Sequence, residues 1–397
     1  MIAVEVALSR VVADLVPTTG ETVALSQSLH RVLAADCAAR VSHPPLDVSS
    51  MDGYALRAAD APGPLTVLGE AAAGHPFEGV IASKQAIRIF TGAAIPAGAD
   101  CVAMQEDCRR DDNLVSIDSP IAAGAHIRRA GMDFHHGQVL LKAGTLMGPR
   151  QIALAAAMNL PWLPVRRRPR VAIMSSGDEI TMPGEPMRAG QLPSSNGPGL
   201  AALVQANGGE AVQLGIAADT RQSLAAMIAA ARGCDLLVTS GGASVGDYDM
   251  VQDALTDHGL TLDFWKIAMR PGKPLMFGHL RHVPVLGLPG NPVAAMVCAT
   301  VFLRPMLRCL LGLPPHNPLV SATLATEMPA NDARQDYVRA TLTRKPNGAI
   351  IAQPFGRQDS GALSGLAGAD CLIVRAPHAQ AVKAGDAVAI LPLHGDC

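Results

Sequence analysis

Hydrophobic and polar positions from residue 170 onward alternate in a way that is typical of an α/β domain. Short apolar runs predict buried strands, and the longer amphipathic segments between them predict helices. The predicted strands are residues 170–174, 211–216, 235–239, 262–268 and 284–288. The predicted helices are residues 199–206, capped by Asn196, then 221–232, 249–258 and 291–311. Strands that alternate with helices predict a parallel-rich, helix-covered sheet within residues 166–314.

The pattern before this domain consists of short strand-like runs separated by Gly and Pro. Between residues 37 and 133 it predicts an inserted all-β module with strands at 65–68, 86–90, 101–105 and 115–117. Helices predicted at 4–15 and 151–158 flank the module. Residues 1–36 and 134–165 are therefore expected to form a helical segment into which the module is inserted.

The pattern after residue 314 again predicts β structure. Its strand-like runs lie at residues 323–325, 338–344, 350–353, 371–375 and 387–391. Turns rich in Gly, Asp and Pro separate them, which favours a small barrel or sandwich over residues 315–397. The predicted fold class is therefore α/β multidomain, with a central α/β domain and two β-rich parts.

Length and charge exclude several classes of protein. The chain has 397 residues, more than one hydrophobic core usually supports, which favours several domains. Its 32 Lys plus Arg and 34 Asp plus Glu give a formal net charge of −2. Because this balance provides no overall positive field, neither nucleic acid nor an anionic membrane surface is expected as a partner. Any anionic ligand must be bound by a local group of donors.

Cysteine usage and the apolar runs favour a cytoplasmic protein. Eight cysteines occur without a C-x-x-C pair, which is typical of a reduced environment. The first 20 residues carry Glu5, Arg10 and Asp14 among apolar residues, unlike a signal peptide. Residues 283–303 are uncharged and long enough to span a bilayer, but three prolines lie in their first half. A buried strand, turn and helix is the better interpretation, so no membrane is expected.

A glycine-rich segment, residues 240–246 with the sequence SGGASVG, follows one predicted strand and precedes a helix. Glycines there let backbone N–H groups approach an anion, and Ser240 and Ser244 add hydroxyl donors. The segment matches neither the Walker A pattern nor G-x-G-x-x-G, so the common nucleotide fingerprints do not apply. A phosphate site and a purely structural turn both remain compatible with it.

Five carboxylates follow predicted strands: Asp178, Glu179, Asp219, Asp247 and Asp249. The ends of neighbouring parallel strands meet at one edge of a sheet, where open α/β sheets bind ligands. A few carboxylate oxygens together with substrate phosphates are the ligands that Mg²⁺ usually takes. The group therefore predicts a magnesium–phosphate site, although each carboxylate alone would also fit a solvated loop or a helix cap.

Residues 288–292, with the sequence LPGNP, join the last predicted strand to the long helix. Asn291 is a good N-cap and Pro292 a good first-turn residue, and the free N–H groups of that turn attract anions. A well-capped helix without a ligand would explain the same residues.

Three cations, Lys266, Arg270 and Lys273, lie close together in the sequence before this turn. In an extended chain Lys266 and Arg270 would stand roughly 13 Å apart, at about 3.3 Å per residue. That spacing suits a long polyanion unless Pro271 and Gly272 bend the chain.

Eight motifs together resemble one known family. They occur in the order and relative positions seen in molybdopterin molybdenumtransferases, the MoeA and gephyrin E-domain family, and span residues 49–364: SSMDGYA, IFTGAAIPAGAD, GMDF, SSGDEI, SGGASVGDYD, FWKIAMRPGKP, GLPGNP and QDSGALS. The resemblance implies a homodimer with its active cleft between subunits, and a central domain similar to the molybdopterin-binding fold. It also implies that molybdate is inserted into adenylylated molybdopterin while the adenylate is hydrolysed and AMP is released. Mg²⁺ or a similar divalent cation is expected, and other molybdenum-cofactor assembly proteins are candidate partners.

The resemblance also assigns roles to residues. The expected catalytic residues are Asp52, Glu179, Asp219, Asp249, Lys266 and Arg270, with Glu179, Asp219 and Asp249 also as metal ligands. The expected substrate-binding residues, taken from the motifs and the turns above, are Thr91, Asp133, Ser240, Gly241, Gly242, Ser244, Gly246, Lys273, Pro289, Asn291, Pro292 and Ser360. Arg270 stands where the family often has Lys, and Asp359 interrupts the usual Gln-Gly-Ser pattern.

Two other functions share parts of this pattern. A molybdopterin adenylyltransferase would have the α/β domain but would not require the β module or the C-terminal β domain. A non-catalytic scaffold of the gephyrin type would keep the fold for protein binding, and loss of the carboxylates would favour it.

Overall fold

The computed structural model describes residues 1–241 and 250–393, and the chain divides into two units. One unit comprises Met1–Glu21 with Arg166–Cys397, and the other comprises Thr22–Val165. Helix α1 (Val4–Ala13) therefore groups with the α/β residues, whereas the sequence predicted that it joins residues 134–165. The helix groups with the α/β domain because its apolar face, formed by Val4, Ala7 and Val11, is buried in the hydrophobic core of that domain.

Strands dominate residues 20–166, together with one α-helix and three short 3₁₀ turns. In chain order these elements are β1 Gly20–Ala24, β2 Cys37–Ala38, β3 Val48–Ser49, β4 Gly53–Leu56, β5 Gly63–Ala71, β6 Gln85–Ile89, β7 Cys101–Met104, β8 Cys108–Asp111, β9 Leu114–Ile117, β10 Ile127–Arg128, β11 Val139–Leu141, α2 Pro149–Ala157 and β12 Trp162–Arg166. Six strands form one mixed sheet in the order β7-β4-β6-β5-β9-β8, in which β5 and β6 run parallel. The predicted all-β module is therefore present.

The α/β domain follows from residue 170. Its elements are β13 Arg170–Ser176, β14 Ile180–Thr181, β15 Leu192–Pro193, α3 Asn196–Ala206, β16 Glu210–Ala217, α4 Arg221–Ala230, β17 Leu236–Ser240, α5 Met250–Asp257, β18 Leu260–Trp265, β19 Met269–Arg270, β20 Met276–Leu280, β21 Val283–Leu288, α6 Pro292–Cys298 and α7 Arg304–Leu310. A π-helical stretch, Ala299–Leu303, joins α6 to α7.

The sheet of this domain has the order β16-β13-β17-β21-β20-β18. The first four strands are parallel, β20 runs antiparallel to β21, and the outermost strand β18 pairs antiparallel with β20. The sequence predicted the four parallel strands but not β20. Because the parallel strands end at one edge, the loops that follow them lie together.

The helix Pro292–Leu310 has the length and hydropathy of a membrane span, yet most of it is buried inside the protein. Val293, Val297, Phe302 and Leu307 belong to the main core of the α/β domain. The apolar run is thus a core helix, as its prolines and its neighbouring strand predicted.

The C-terminal part forms a closed barrel. Its elements are β22 Val320–Leu324, β23 Gln335–Arg344, β24 Ile350–Pro354, α8 Leu363–Ala367, β25 Cys371–Arg375 and β26 Ala387–Pro392. The pairing runs β23-β24-β22-β26-β25 and returns from β25 to β23, which closes five strands into a barrel. This confirms the barrel alternative. Strand β19 adds to the outside of β23 and so connects the α/β domain to the barrel.

Candidate functional site

Glycines allow the loops after β17 and β21 to approach each other closely. Gly241 has φ +91°, and a Cβ there would lie 2.6 Å from the carbonyl oxygen of Ser176, so no other residue fits without strain. A Cβ on Gly290 would have Gly241 Cα as its nearest neighbour, at 3.8 Å. The ends of β13, β17 and β21 therefore lie close together.

This edge borders a cavity of about 450 Å³, called the first cavity. Loops after all four parallel strands contribute to its lining. The polar residues that line it are Ser175, Ser176, Glu179, Ser194, Ser195, Asn196, Asp219, Ser240 and Asn291. Within residues 1–241 and 250–393, its lining includes two carboxylates and no Lys, Arg or His. The first cavity therefore offers hydroxyls and backbone groups to a ligand, and negative charge to a cation.

Asn196 connects two sides of the first cavity. Its Nδ2 donates hydrogen bonds to Ser240 Oγ (2.8 Å) and to the carbonyl of Gly290 (2.7 Å). The sequence predicted Asn196 as a helix cap, but it is the first residue of α3, and the cap position is Ser195. Its side chain instead fixes the loops after β17 and β21 relative to each other.

The carboxylates at this edge interact with each other. The backbone N–H of Asp219 donates to Asp178 Oδ1 over 3.2 Å. Desolvation raises the pKa of Asp219, and the negative charges of Asp178 and Glu179 raise it further. A cation placed among these groups would relieve their repulsion.

The predicted metal ligands fit Mg²⁺ in part. Glu179 and Asp219 both line the first cavity, whereas Asp249 lies outside the described residues. Among residues 1–241 and 250–393 no three His, Cys, Asp or Glu side chains converge as a complete metal site. Two carboxylates that need substrate phosphates to complete the coordination are nevertheless the usual environment of Mg²⁺ in phosphate sites.

A second cavity, of about 580 Å³, adjoins the first, and Pro274, Pro289 and Asn291 line both. Unlike the first, it is rich in cations. Its charged and polar residues are Arg270, Lys273, Asn291, Arg334, Asp336, Tyr337, Arg339, Gln358 and Ser360. The segment after β18 supplies one wall and the barrel supplies the other.

The three predicted cations have different positions. Arg270 and Lys273 line the second cavity, whereas Lys266 lines neither cavity and its Nζ lies 4.2 Å from the centre of the Trp265 ring. The spacing assumed an extended chain, but β18 ends at Trp265 and Lys266 itself has φ +74°. The chain is therefore not extended between Lys266 and Arg270. It already bends at Lys266, before Pro271 and Gly272, where the alternative had placed the bend.

Ser360 reaches the second cavity from the barrel side. Its carbonyl accepts a hydrogen bond from Val293 N (3.2 Å), and its Oγ accepts one from Asn291 Nδ2 (3.2 Å). Asn291 occupies the N-cap position of α6, as predicted, but its side chain makes no cap bond and contacts Ser360 instead. Pro292 is the first residue of α6. The helix N-terminus thus binds the serine loop.

Arg339 anchors that loop, and sequence reasoning missed it. The side chain is buried and donates to the carbonyls of Arg357, Asp359 and Ala362 and to Gln358 Oε1. The signal available in the sequence was an arginine between two apolar residues of a strand, Val338 and Ala340. Such a residue is rarely buried unless its donors are satisfied.

The residues predicted in the β module lie in the unit formed by Thr22–Val165. Asp52 Oδ1 accepts hydrogen bonds from the backbone N–H of Thr91 (2.7 Å) and from its hydroxyl (2.8 Å). These bonds, the backbone one first, lower the pKa of Asp52. Asp133 lines a separate cavity of about 820 Å³ together with His43 and Arg128.

The remaining predicted residues divide into two groups. Ser240, Gly241, Pro289 and Pro292 line the first cavity. Four others lie outside the described residues and are Gly242, Ser244, Gly246 and Asp249.

Comparison with protein families covers most of the chain. The model of the MoeA N-terminal region (domain I and II) matches residues 2–159, and that of a probable molybdopterin binding domain matches residues 172–309. The model of the MoeA C-terminal region (domain IV) matches residues 321–393.

Individual proteins are similar along their whole length. A protein of Haemophilus influenzae named molybdopterin molybdenumtransferase is 34% identical over 404 residues, with 99% of each chain covered. Molybdopterin molybdenumtransferase 2 of Mycobacterium tuberculosis is 37% identical over 381 residues, covering 92% of this chain and 93% of that protein. The crystal structure of a molybdopterin biosynthesis MoeA protein from Pyrococcus horikosii has a TM-score of 0.86 at 29% identity, with 100% of both chains covered.

Proposed function

The chain belongs to the MoeA family of molybdopterin molybdenumtransferases, and from this premise we propose that it inserts molybdate into adenylylated molybdopterin and releases AMP. The observation that carries the proposal is the pair of adjoining cavities. One offers carboxylates, hydroxyls and backbone groups, and the other offers cations. A pyrophosphate-linked substrate and a dianion have to meet at one point, and the shared residues Pro274, Pro289 and Asn291 mark such a point.

The first cavity is suited to the pyrophosphate of adenylylated molybdopterin. Backbone N–H groups after the parallel strands and the hydroxyls of Ser176 and Ser240 are donors to phosphate oxygens. The glycines at positions 241 and 290 leave the backbone accessible. The two carboxylates would repel a polyanion, so this binding requires a cation between them and the substrate.

Glu179 and Asp219 are the described residues that would hold Mg²⁺. When bound, the ion would neutralise phosphate charge and polarise the bond to be cleaved. Hydrolysis adds water across the phosphoanhydride, so AMP leaves with one phosphate and the other stays on the pterin. Glu179 is exposed, and the carboxylate oxygen that does not hold the ion would orient that water and accept its proton.

The second cavity is suited to molybdate. Lys273 is exposed there, and Ser360 and Asn291, which are hydrogen-bonded to each other, line the same cavity. A dianion gains most from cations and N–H or O–H donors that are already in position. Molybdate bound here would lie next to the first cavity, where the pterin sulfurs must be presented.

The alternatives are less well supported. An adenylyltransferase would not require the β module or the barrel, and this chain matches family models for both. A non-catalytic scaffold would not need Glu179 and Asp219, which this chain retains at one cavity.

The test is a reaction with adenylylated molybdopterin, Mg²⁺ and molybdate, in which AMP and metallated pterin are measured. We expect molybdate-dependent AMP release, and Glu179→Gln should slow it at least ten-fold while the melting temperature is kept. Glu185→Gln, in the neighbouring loop, is the matched control and should be close to wild type. Release of AMP that is independent of molybdate, or unaffected by Glu179→Gln, would contradict the proposal.

We also propose a homodimer in which Asp52 and Glu179 of one site come from different copies. The support is the resemblance of the whole chain to the family, together with the placement of Asp52 in a separate unit. Mixing inactive Asp52→Asn and Glu179→Gln protein tests it, because a mixed dimer would then contain one intact site. Restored activity of about a quarter of wild type is expected after random exchange. No restoration, despite verified exchange of subunits, would count against shared sites.

The cellular setting is part of the same proposal. No disulfide joins any two of the seven described cysteines, which is compatible with a cytoplasmic enzyme. Because the adenylylated substrate is consumed here, we propose docking of the protein that supplies it. Co-purification with that adenylylating enzyme, with and without substrate, is the measurement.

A further inference from the structure

Arg270 is bound by three side chains of the barrel. Its Nη1 donates to Asp332 Oδ2 (3.2 Å), and its Nη2 donates to Asn331 Oδ1 (3.2 Å) and to Asp336 Oδ2. A hydrogen bond to Asp336 is the main reason that the pKa of Arg270 is raised. The guanidinium is therefore already engaged, on the barrel side, before any ligand is considered.

The backbone makes the same connection. Strand β19 pairs in parallel with β23, with Met269 opposite Gln335 and Arg270 opposite Asp336. The N–H of Gln335 also donates to the carbonyl of Ala268 over 2.9 Å. The segment that carries Arg270 is thus attached to the barrel by both main chain and side chain.

Charge within this cluster is balanced. Two carboxylates, Asp332 and Asp336, face two guanidiniums, because Arg334 also binds Asp332 (2.9 Å). Asp336 is largely buried, with its side chain 12% exposed, and its Oδ1 has no hydrogen-bond partner. Loss of Arg270 would leave that carboxylate buried without its cation, which is strongly unfavourable.

We propose that Arg270 is a positioning residue that holds the Lys273 segment against β23 and thereby sets the width of the second cavity. It acts through its barrel partners and does not contact the oxyanion. Three acceptors in different directions suit the planar fork of arginine, whereas a lysine ammonium could not match that geometry. The inference rests on the proposed function only in taking molybdate as the ligand of the second cavity.

The rival role is direct binding of molybdate by Arg270. For one variant, the two roles predict opposite changes in the apparent KM for molybdate. Asp336→Asn removes the carboxylate that competes for the guanidinium. If Arg270 binds molybdate, this change frees it, and the apparent KM for molybdate should fall. If Arg270 acts as a positioning residue, the change releases the segment, and the apparent KM should rise about as much as in Arg270→Gln.

The experiment measures AMP release against molybdate concentration for wild type, Arg270→Gln, Arg270→Lys, Asp336→Asn and the milder Asp332→Asn. We expect a rise of about ten-fold in the apparent KM for Arg270→Gln and Asp336→Asn, with kcat changed less than two-fold. Arg270→Lys should rescue little, although it keeps the charge. Arg344→Ala, an exposed arginine at the end of β23, is the control and should behave as wild type.

Stability gives a readout that does not depend on activity. Arg270→Gln and Asp336→Asn should each lower the melting temperature, and the double variant should lower it no further than one of them. Additive effects, or full rescue by lysine together with a lowered KM in Asp336→Asn, would overturn the positioning role. Absence of AMP release in wild type would instead refute the proposed function. The melting temperatures of the single and double variants would then still test the positioning role of Arg270.

Discussion

Asn291 donates a hydrogen bond to the hydroxyl of Ser360, 69 positions later in the chain, over 3.2 Å. Asn291 lines both cavities, whereas Ser360 lines the second. The barrel loop is also bound through the carbonyl of Ser360, which accepts from Val293 N at the start of α6. The barrel therefore supplies part of the site wall.

Ser360→Ala should weaken molybdate capture without unfolding the loop. The variant removes the hydroxyl but keeps the backbone bond to Val293. Loss of about 1 kcal/mol corresponds to a rise of roughly five-fold in the apparent KM for molybdate. Ser364→Ala, an exposed serine in α8, is the control. An unchanged molybdate dependence would remove Ser360 from the site.

Gly290→Ala should reduce affinity for adenylylated molybdopterin. A methyl group there has a single neighbour within 4 Å, Gly241 Cα at 3.8 Å, so the fold should tolerate it while the group enters the first cavity. We expect an affinity loss of about ten-fold in equilibrium titration, since overpacking costs about 1–3 kcal/mol. Gly356→Ala, whose Cβ would meet nothing, should bind normally. Equal affinities in the two variants would contradict the assignment of the first cavity.

Asp219→Asn should stabilise the protein when no divalent cation is present. The pKa of Asp219 is raised in the folded state, so the folded form holds its proton more tightly than the unfolded chain does. Stability is then lost as the pH rises from the ordinary carboxyl pKa through the raised one. Thermal melts at pH 7 should therefore show a higher melting temperature for Asp219→Asn, and the difference should vanish in acid below the ordinary pKa.

Mg²⁺ should reverse the order of the melting temperatures of wild type and Asp219→Asn. The ion stabilises the carboxylate form, so it should raise the melting temperature of wild type more than that of Asp219→Asn. Asp257→Asn, at the end of α5, serves as the matched control. A Mg²⁺ response of equal size in all three proteins would show that Asp219 is not a ligand.

Lys273→Ala should lower the affinity for molybdate by about ten-fold or more, because a hydrogen bond to a charged group contributes about 1.5–3 kcal/mol. Lys345→Ala, an exposed lysine in the turn after β23, removes the same charge elsewhere. The measurement is the molybdate dependence of AMP release at fixed ionic strength. If both lysine variants lose affinity equally, general electrostatic attraction explains the effect and Lys273 has no special role.

The sequence predicted most of the fold because the pattern of the α/β domain is strongly periodic. The strand Cys371–Arg375 has the predicted bounds, and β13, β16, β17 and β21 differ from prediction by one or two residues at their ends. Strand β20 was missed, because the glycine and histidine in Met276–Leu280 weaken its apolar pattern. Its place at the antiparallel side depends on pairing with β18 and β21, which no local pattern encodes.

The sequence predicted which residues line the site, but not the hydrogen bonds that join its loops. Glu179 and Asp219 lie at one edge because parallel strands end together, which the strand pattern already implied. The bridges made by Asn196 and Asn291 were not predicted, since both residues have good local roles as helix caps and the tertiary contacts prevailed. Arg270 was expected among the catalytic residues, and its partners come from residues 331–336, beyond the reach of local reasoning.

The burial of α1 among residues more than 160 positions later affects how a growing chain can fold during synthesis. Residues 22–165 contain every strand of their own sheet and can pack as soon as they leave the ribosome. The apolar face with Val4, Ala7 and Val11 must meanwhile remain without its permanent neighbours until α7 has been translated. The first helix to be made is thus among the last to reach its native environment, and during that interval it is a natural client for a chaperone.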